Sequence, residues 1–62
     1  MTDRERLLLM CGLHRLQMDI NKQYEGLELT TDTQSREYME FVVEACKFTQ
    51  KKIIEMLGEE NE

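Results

Sequence analysis

The first half of the chain carries apolar residues at the spacing of an amphipathic helix. At alternating steps of four and three residues lie Leu9, Leu13, Leu16 and Ile20, and the series is extended by Tyr24. This heptad-like spacing places them on one face of a helix. Thr2 and Glu5 have the spacing of a capping box, which marks a helix start. The pattern therefore predicts a helix over about residues 3–25.

The second half has the same period. Its main apolar series is Met39, Val42, Cys46, Ile53 and Leu57. Further apolar residues widen this face, with Tyr38, Phe41, Ala45 and Phe48 on one side and Val43, Ile54 and Met56 on the other. The opposite, solvated face is formed by Glu37, Glu40, Glu44, Lys47, Lys51 and Glu55. The pattern predicts a second helix over about residues 33–57.

Between the two segments, the stretch from Gly26 to Thr33 is the only convincing helix breaker. Gly26 follows the last periodic residues, where a left-handed glycine often ends a helix. The candidate caps of the second helix are Thr31 (with Gln34), Asp32 and Thr33. We therefore predict a turn over residues 26–32. Gly58 is the expected stop of the second helix, followed by an acidic tail over residues 58–62.

These elements predict an all-α fold, an antiparallel two-helix hairpin that forms one domain over residues 1–62. Folding about residue 29 would bring Leu13 near Ala45 and Leu16 near Val42. Two helices cannot cover all the apolar surface of the first one, and a chain this short needs a partner subunit or another staple. We therefore expect a homodimer, with two hairpins packed into a four-helix bundle. Its core and dimer contacts would come from Leu9, Leu13, Leu16, Ile20, Met39, Val42, Cys46, Ile53 and Leu57.

Composition and charge narrow the classes of function. Hydrophobic residues form 40% of the 62, too many for a disordered chain. The net charge is −5, and residues 27–62 hold all of the excess, with nine acids against four bases. This sign disfavours nonspecific phosphate binding. The acidic residues of the second helix are interpreted as a solvated face, and the alternative is a surface that mimics nucleic acid or grips a basic partner.

Localisation follows from the apolar runs. None approaches the roughly 18 to 20 residues of a membrane span. The run Leu7–Cys11 is preceded by acids as well as bases and lacks a small-residue cleavage site, which argues against a signal peptide. A cytoplasmic protein is predicted.

Two thiols and a histidine are the nearest approach to a chemical site. Cys11 and Cys46 are expected in the same layer of the hairpin, where a disulfide is conceivable but buried free thiols are favoured. His14 forms Cys-x-x-His with Cys11, but no fourth zinc ligand is evident. No acid orients a Cys–His pair for catalysis. We predict no metal, no cofactor and no enzymatic activity.

One flank of the first helix is the predicted partner-binding face. It consists of Leu7, Met10, Cys11, His14 and Met18, which lie off the main apolar series. Flexible thioethers suit adaptable protein-binding surfaces. The sequence thus predicts a small acidic protein–protein interaction module, a regulator or inhibitor that binds a larger protein through an apolar helix face. Its short length and compact, acidic character are typical of accessory proteins of phages or mobile elements.

The alternative is an RNA-binding bundle. The length, the hairpin plan and the acidic tail after Gly58 resemble the plasmid repressor-of-primer proteins. The resemblance implies a dimeric helical bundle that binds paired RNA loops. The groups available to phosphates would be Arg4, Arg6, Arg15 and Lys22. Protein binding is favoured because Met10, His14 and Met18 stand where polar and basic groups would be needed.

Overall fold

Two long helices form the whole of the described structure. The structure is a computed structural model that describes residues 1–60, apart from the side chain of Glu60. Helix α1 (Asp3–Leu29) and helix α2 (Thr33–Glu60) pack against each other as an antiparallel hairpin that measures 45 × 15 × 11 Å. The predicted all-α hairpin is confirmed.

The helices meet along a heptad seam. Its buried and half-buried positions are Leu9, Leu13, Leu16, Ile20, Gln23 and Leu27 on α1 and Met39, Val43, Cys46, Gln50, Ile53 and Leu57 on α2. Alternating steps of three and four residues keep each row turned toward the other helix. Among the described apolar residues, only Ile20 (2% exposed) and Val43 (6% exposed) are fully buried. A helix with a single neighbour can bury only a narrow strip of its surface.

The core of the hairpin differs from the predicted one in three details. The seam continues from Ile20 through Gln23, so Tyr24 is exposed, and the Lys47 ammonium lies 5.3 Å from the centroid of its ring. On α2 the seam runs from Met39 to Val43 and Cys46, in steps of four and three residues. Val43 is therefore the buried residue, and its neighbour Val42 is half-buried. The aromatic residues expected to widen the core are exposed, namely Tyr38, Phe41 and Phe48.

Both helix starts are capped by side chains. The predicted capping box is confirmed, because Glu5 N donates to Thr2 Oγ1 (3.1 Å) and Thr2 N donates to Glu5 Oε1 (3.2 Å). Asp32, one of the three candidates, accepts at Oδ2 from Ser35 N at 2.8 Å. These bonds favour the charged carboxylates. Hydrogen bonds from the Ser35 side chain and backbone lower the pKa of Asp32, and those from the Thr2 backbone and side chain lower the pKa of Glu5.

The loop between the helices is shorter than predicted. Helix α1 passes through Gly26, and none of the described glycines has a positive φ. The methionine Sδ and Cε of Met39 lie 3.6 Å from the place a Cβ of residue 26 would take, and Thr30 Oγ1 donates to Gly26 O at 2.7 Å. Gly26 therefore lies close to α2 within the helix and does not end α1. Only residues 30–32 connect α1 to α2.

The C-terminal boundary also differs from the prediction. Helix α2 continues through Gly58 to Glu60. The first part of the expected acidic tail, residues 58–60, is therefore helical, and residues 61–62 lie outside the described residues. Gly58 is helical because its φ is negative and no contact forces another conformation.

Arg36 ties the loop to the end of α1. Its Nη1 donates to the carbonyl oxygens of Leu27 and, at 3.0 Å, of Thr30. The last carbonyls of a helix have no partner within the helix, and a cation there also suits the helix dipole. Arg36 thus satisfies groups of α1 from the first turn of α2. Sequence analysis did not single it out.

The longer α1 shifts the register of the hairpin. Arg36 bonds to Leu27, and Gln50 Nε2 approaches Leu13 O at 3.5 Å, so facing residue numbers add up to 63 and not 58. Leu13 consequently faces Gln50, not Ala45. Cys11 and Cys46 lie six residues apart along the axis, about 9 Å, and both are free thiols. Their predicted common layer is wrong, and so is the predicted burial of Cys11, which is exposed, whereas Cys46 is half-buried.

We predict that acid weakens the hairpin partly through Asp32. Its pKa is lowered in the folded state, so its stabilising contribution is complete above the pKa of the unfolded aspartate and is lost as the pH falls through the folded pKa. Asp32→Asn keeps a cap but cannot titrate. The pH dependence of urea unfolding should therefore be shallower in Asp32→Asn between neutral pH and about pH 2. Identical profiles for the two proteins would contradict the assignment.

Replacing Gly26 with alanine should stabilise the protein. The backbone is helical, and a Cβ would make only ordinary contact with Met39. Gly12→Ala is the matched control, because nothing lies within 4 Å of its Cβ position. Each change should raise the free energy of unfolding by about 0.5–1 kcal/mol, measured by urea denaturation. A loss of stability in Gly26→Ala alone would indicate the left-handed helix end that the sequence predicted.

Candidate interaction surface

Two grooves flank the seam on opposite sides. The larger, of about 430 Å³, is lined by Met10, Leu13, His14, Gln17, Gln50 and Ile54, and we call it the methionine groove. The smaller, of about 340 Å³, lies near the open end of the hairpin and is lined by Met1, Glu5, Leu8, Leu9 and Met56. Both are largely apolar clefts between the helices that a neighbouring side chain or helix can enter.

The predicted partner-binding residues lie on the flank of the methionine groove. All five are exposed, namely Leu7, Met10, Cys11, His14 and Met18. Met10 and His14 line the groove itself. The other three do not line the groove; they lie on the adjoining outer face of α1, with Cys11 three and Leu7 seven residues before His14 and Met18 four residues after it. The structure thus brings these residues together on one surface, and their role in binding stays a prediction.

The residues predicted for the core and dimer contacts have a different placement. All nine are buried or half-buried, namely Leu9, Leu13, Leu16, Ile20, Met39, Val42, Cys46, Ile53 and Leu57. Eight belong to the seam within one hairpin. Because α1 and α2 already pack on these residues, a second hairpin would have to contact mainly other surfaces.

Amide side chains form a polar row along the floor of the methionine groove. Gln50 Nε2 donates to Gln17 Oε1 at 3.0 Å, and Gln17 Nε2 donates to Asn21 Oδ1 at 3.0 Å. Gln50 occupies a seam position, where sequence analysis counted only apolar residues. The signal that could have identified it is the regular step from Cys46 to Gln50 to Ile53. Amide groups in an otherwise apolar groove can donate hydrogen bonds to a bound chain or accept them from it.

The α2 wall on this flank is charged. Its exposed residues are Glu37, Glu40, Glu44, Lys47 and Lys51. The acids lie toward the loop and the lysines toward the open end. The α2 residues that line the methionine groove are Gln50 and Ile54, and the charged residues form a rim outside them. Such a rim orients a bound chain and accelerates its association more than it adds affinity.

A third surface covers the side of α2 that faces away from α1. Tyr38, Phe41, Ala45 and Phe48 follow one another at steps of three, four and three residues, and we call them the aromatic stripe. All four are exposed. Lys52 Nζ lies 5.4 Å from the centroid of Phe48 and 3.5 Å from Glu55 Oε2, at the C-terminal end of the stripe. Apart from the Lys52 side chain over Phe48, these rings face solvent in the described part of the chain.

Other kinds of site find no support among residues 1–60. No three or more His, Cys, Asp or Glu side chains of this part come together to hold a metal ion. No helix of the described chain is long and apolar enough to cross a bilayer. The chain matches no protein-family model, and no curated protein or solved structure shows significant similarity to it.

Proposed function

We propose that this chain is a small cytoplasmic protein-interaction module, a regulator or inhibitor that binds a larger protein through the methionine groove. One observation carries the proposal. Leu7, Met10 and Met18 expose large apolar side chains on α1, and Met10 lines a groove between the helices. Contiguous exposed apolar surface with a polar rim is typical of protein-binding sites.

The chemistry of the groove indicates the form of the ligand. Methionine side chains are flexible and adapt to different apolar shapes. The groove runs parallel to both helices, so an amphipathic helix of the target would fit along it with its apolar face inward. The amide row of Gln17 and Gln50 would meet polar groups at the edge of that helix.

The total exposed area supports further association, including the proposed dimerisation of two hairpins into a four-helix assembly. The accessible surface is 5144 Å², whereas a compact monomer of 7.4 kDa should expose about 4,200 Å². The difference, about 900 Å², is close to the roughly 800 Å² that each partner buries in an ordinary protein–protein interface. Contact with another chain would bring the protein to the usual degree of burial.

Charged substitutions in the groove flank test the proposal. Tagged protein is used to capture its target from native lysate, and the affinity of the purified target is then measured for two double variants. Met10→Glu with Met18→Glu should weaken binding at least tenfold, because each places a charge in an apolar contact. Both residues are half exposed, so helicity and the thermal midpoint should be unchanged.

The comparison variant is Arg15→Glu with Lys22→Glu, two exposed positions that do not line the groove and that lie three and four residues from Met18 on α1. This variant should bind the target as the unchanged protein does. The opposite result, with Arg15 and Lys22 required, nuclease-sensitive recovery and a steep salt dependence, would replace the proposal with the RNA-binding alternative. Equal binding by all three proteins would also overturn it.

A further inference from the structure

The aromatic stripe exposes three large aromatic side chains to solvent. Tyr38, Phe41 and Phe48 are 70%, 67% and 62% exposed. Aromatic rings of this kind contribute much of the buried area of protein interfaces. They lie on the opposite side of α2 from the seam, and the methionine groove is on a different flank. The stripe is therefore a second surface that requires its own occupant.

The centre of the stripe is small and its ends are large. Ala45 lies four residues after Phe41 and three before Phe48. A small residue at this point allows the axis of a second helix to approach closely. Rotation by 180° about an axis through Ala45 brings residues whose numbers add up to about 90 to the same level, so each phenylalanine of one copy comes near the other phenylalanine of the second, and Tyr38 comes level with Lys52. The shape thus suits an antiparallel copy of α2.

The order of charges along α2 favours the same arrangement. The acids Glu37, Glu40 and Glu44 precede Ala45, and the bases Lys47, Lys51 and Lys52 follow it. In an antiparallel pair centred near Ala45, the acidic half of one α2 runs along the basic half of the other, and these charges act from the groove flank of α2 beside the stripe, not from within it. In a parallel pair each charge would meet its own kind. Complementary charges across an interface fix its orientation.

We propose that the aromatic stripe is the self-association surface, and that two copies pair α2 against α2 in antiparallel orientation with a two-fold axis near Ala45. The residue contacts are then reciprocal, as an isologous interface requires. The two α2 helices form the inner pair and the two α1 helices the outer pair. Both methionine grooves stay open, so the dimer presents two target sites. The inference rests on the proposed self-association and not on the proposed target binding.

Disulfide trapping tests the axis. In a Cys11→Ser, Cys46→Ala background, Ala45→Cys should form a covalent dimer under mild oxidation, because residues at the axis approach within the roughly 4.4–6.8 Å that a disulfide allows between Cα atoms. Glu44→Cys is the matched control, also exposed but about 100° around the helix. It should crosslink at least tenfold more slowly. Equal rates would indicate random collision and overturn the proposal.

A charge exchange tests the orientation. Phe41→Lys and Phe48→Glu should each weaken the dimer at least tenfold in sedimentation equilibrium, with helicity retained because both positions are exposed. The double variant should dimerise more tightly than either single variant, since antiparallel pairing brings position 41 near position 48 of the other copy. A double variant weaker than both would exclude antiparallel pairing. An unchanged protein that stays monomeric would refute self-association itself, whereas a dimer that fails both tests would refute only this surface.

Discussion

Each helix of this hairpin has only one neighbour, and the rest of the structure depends on that constraint. One neighbour covers a strip about two residues wide, which is why full burial reaches only Ile20 and Val43 among the described apolar residues. Every other apolar row must face solvent or another chain. The methionine groove and the aromatic stripe are two such rows. In a larger domain, comparable rows would be covered by additional helices of the same chain.

Because the seam is narrow, the register of the two helices depends on the contacts at the loop end of the hairpin. Arg36 holds the last carbonyls of α1, and the cap at Asp32 starts α2 after a three-residue connection. Together they set which residues face each other along the whole length, because two rigid helices transmit their register from the loop outward. At mid-length the two helices are joined by a further polar contact, between Gln50 and Gln17.

Sequence reasoning succeeded where structure is determined locally. The helical period and the Thr2 capping box depend on neighbouring residues and were predicted correctly. The end of α1 was not, because the helix continues through Gly26, which lies close to Met39 of the other helix, and local sequence does not reveal that neighbour. The same error displaced the predicted register by about five residues. The exposed flank containing Met10 could be predicted because it follows from helical periodicity alone, whereas Gln50 was missed because a polar residue interrupts an apolar pattern.

The shape of the hairpin affects how its mass can be determined. A particle three times as long as it is wide experiences more friction than a sphere of equal mass. It therefore elutes early from a sizing column, and calibration with globular standards would assign a single hairpin too large a mass. Two hairpins side by side would keep nearly the same length while their width increases, so association would make the particle less elongated. Its sedimentation coefficient would then change more clearly than its elution volume.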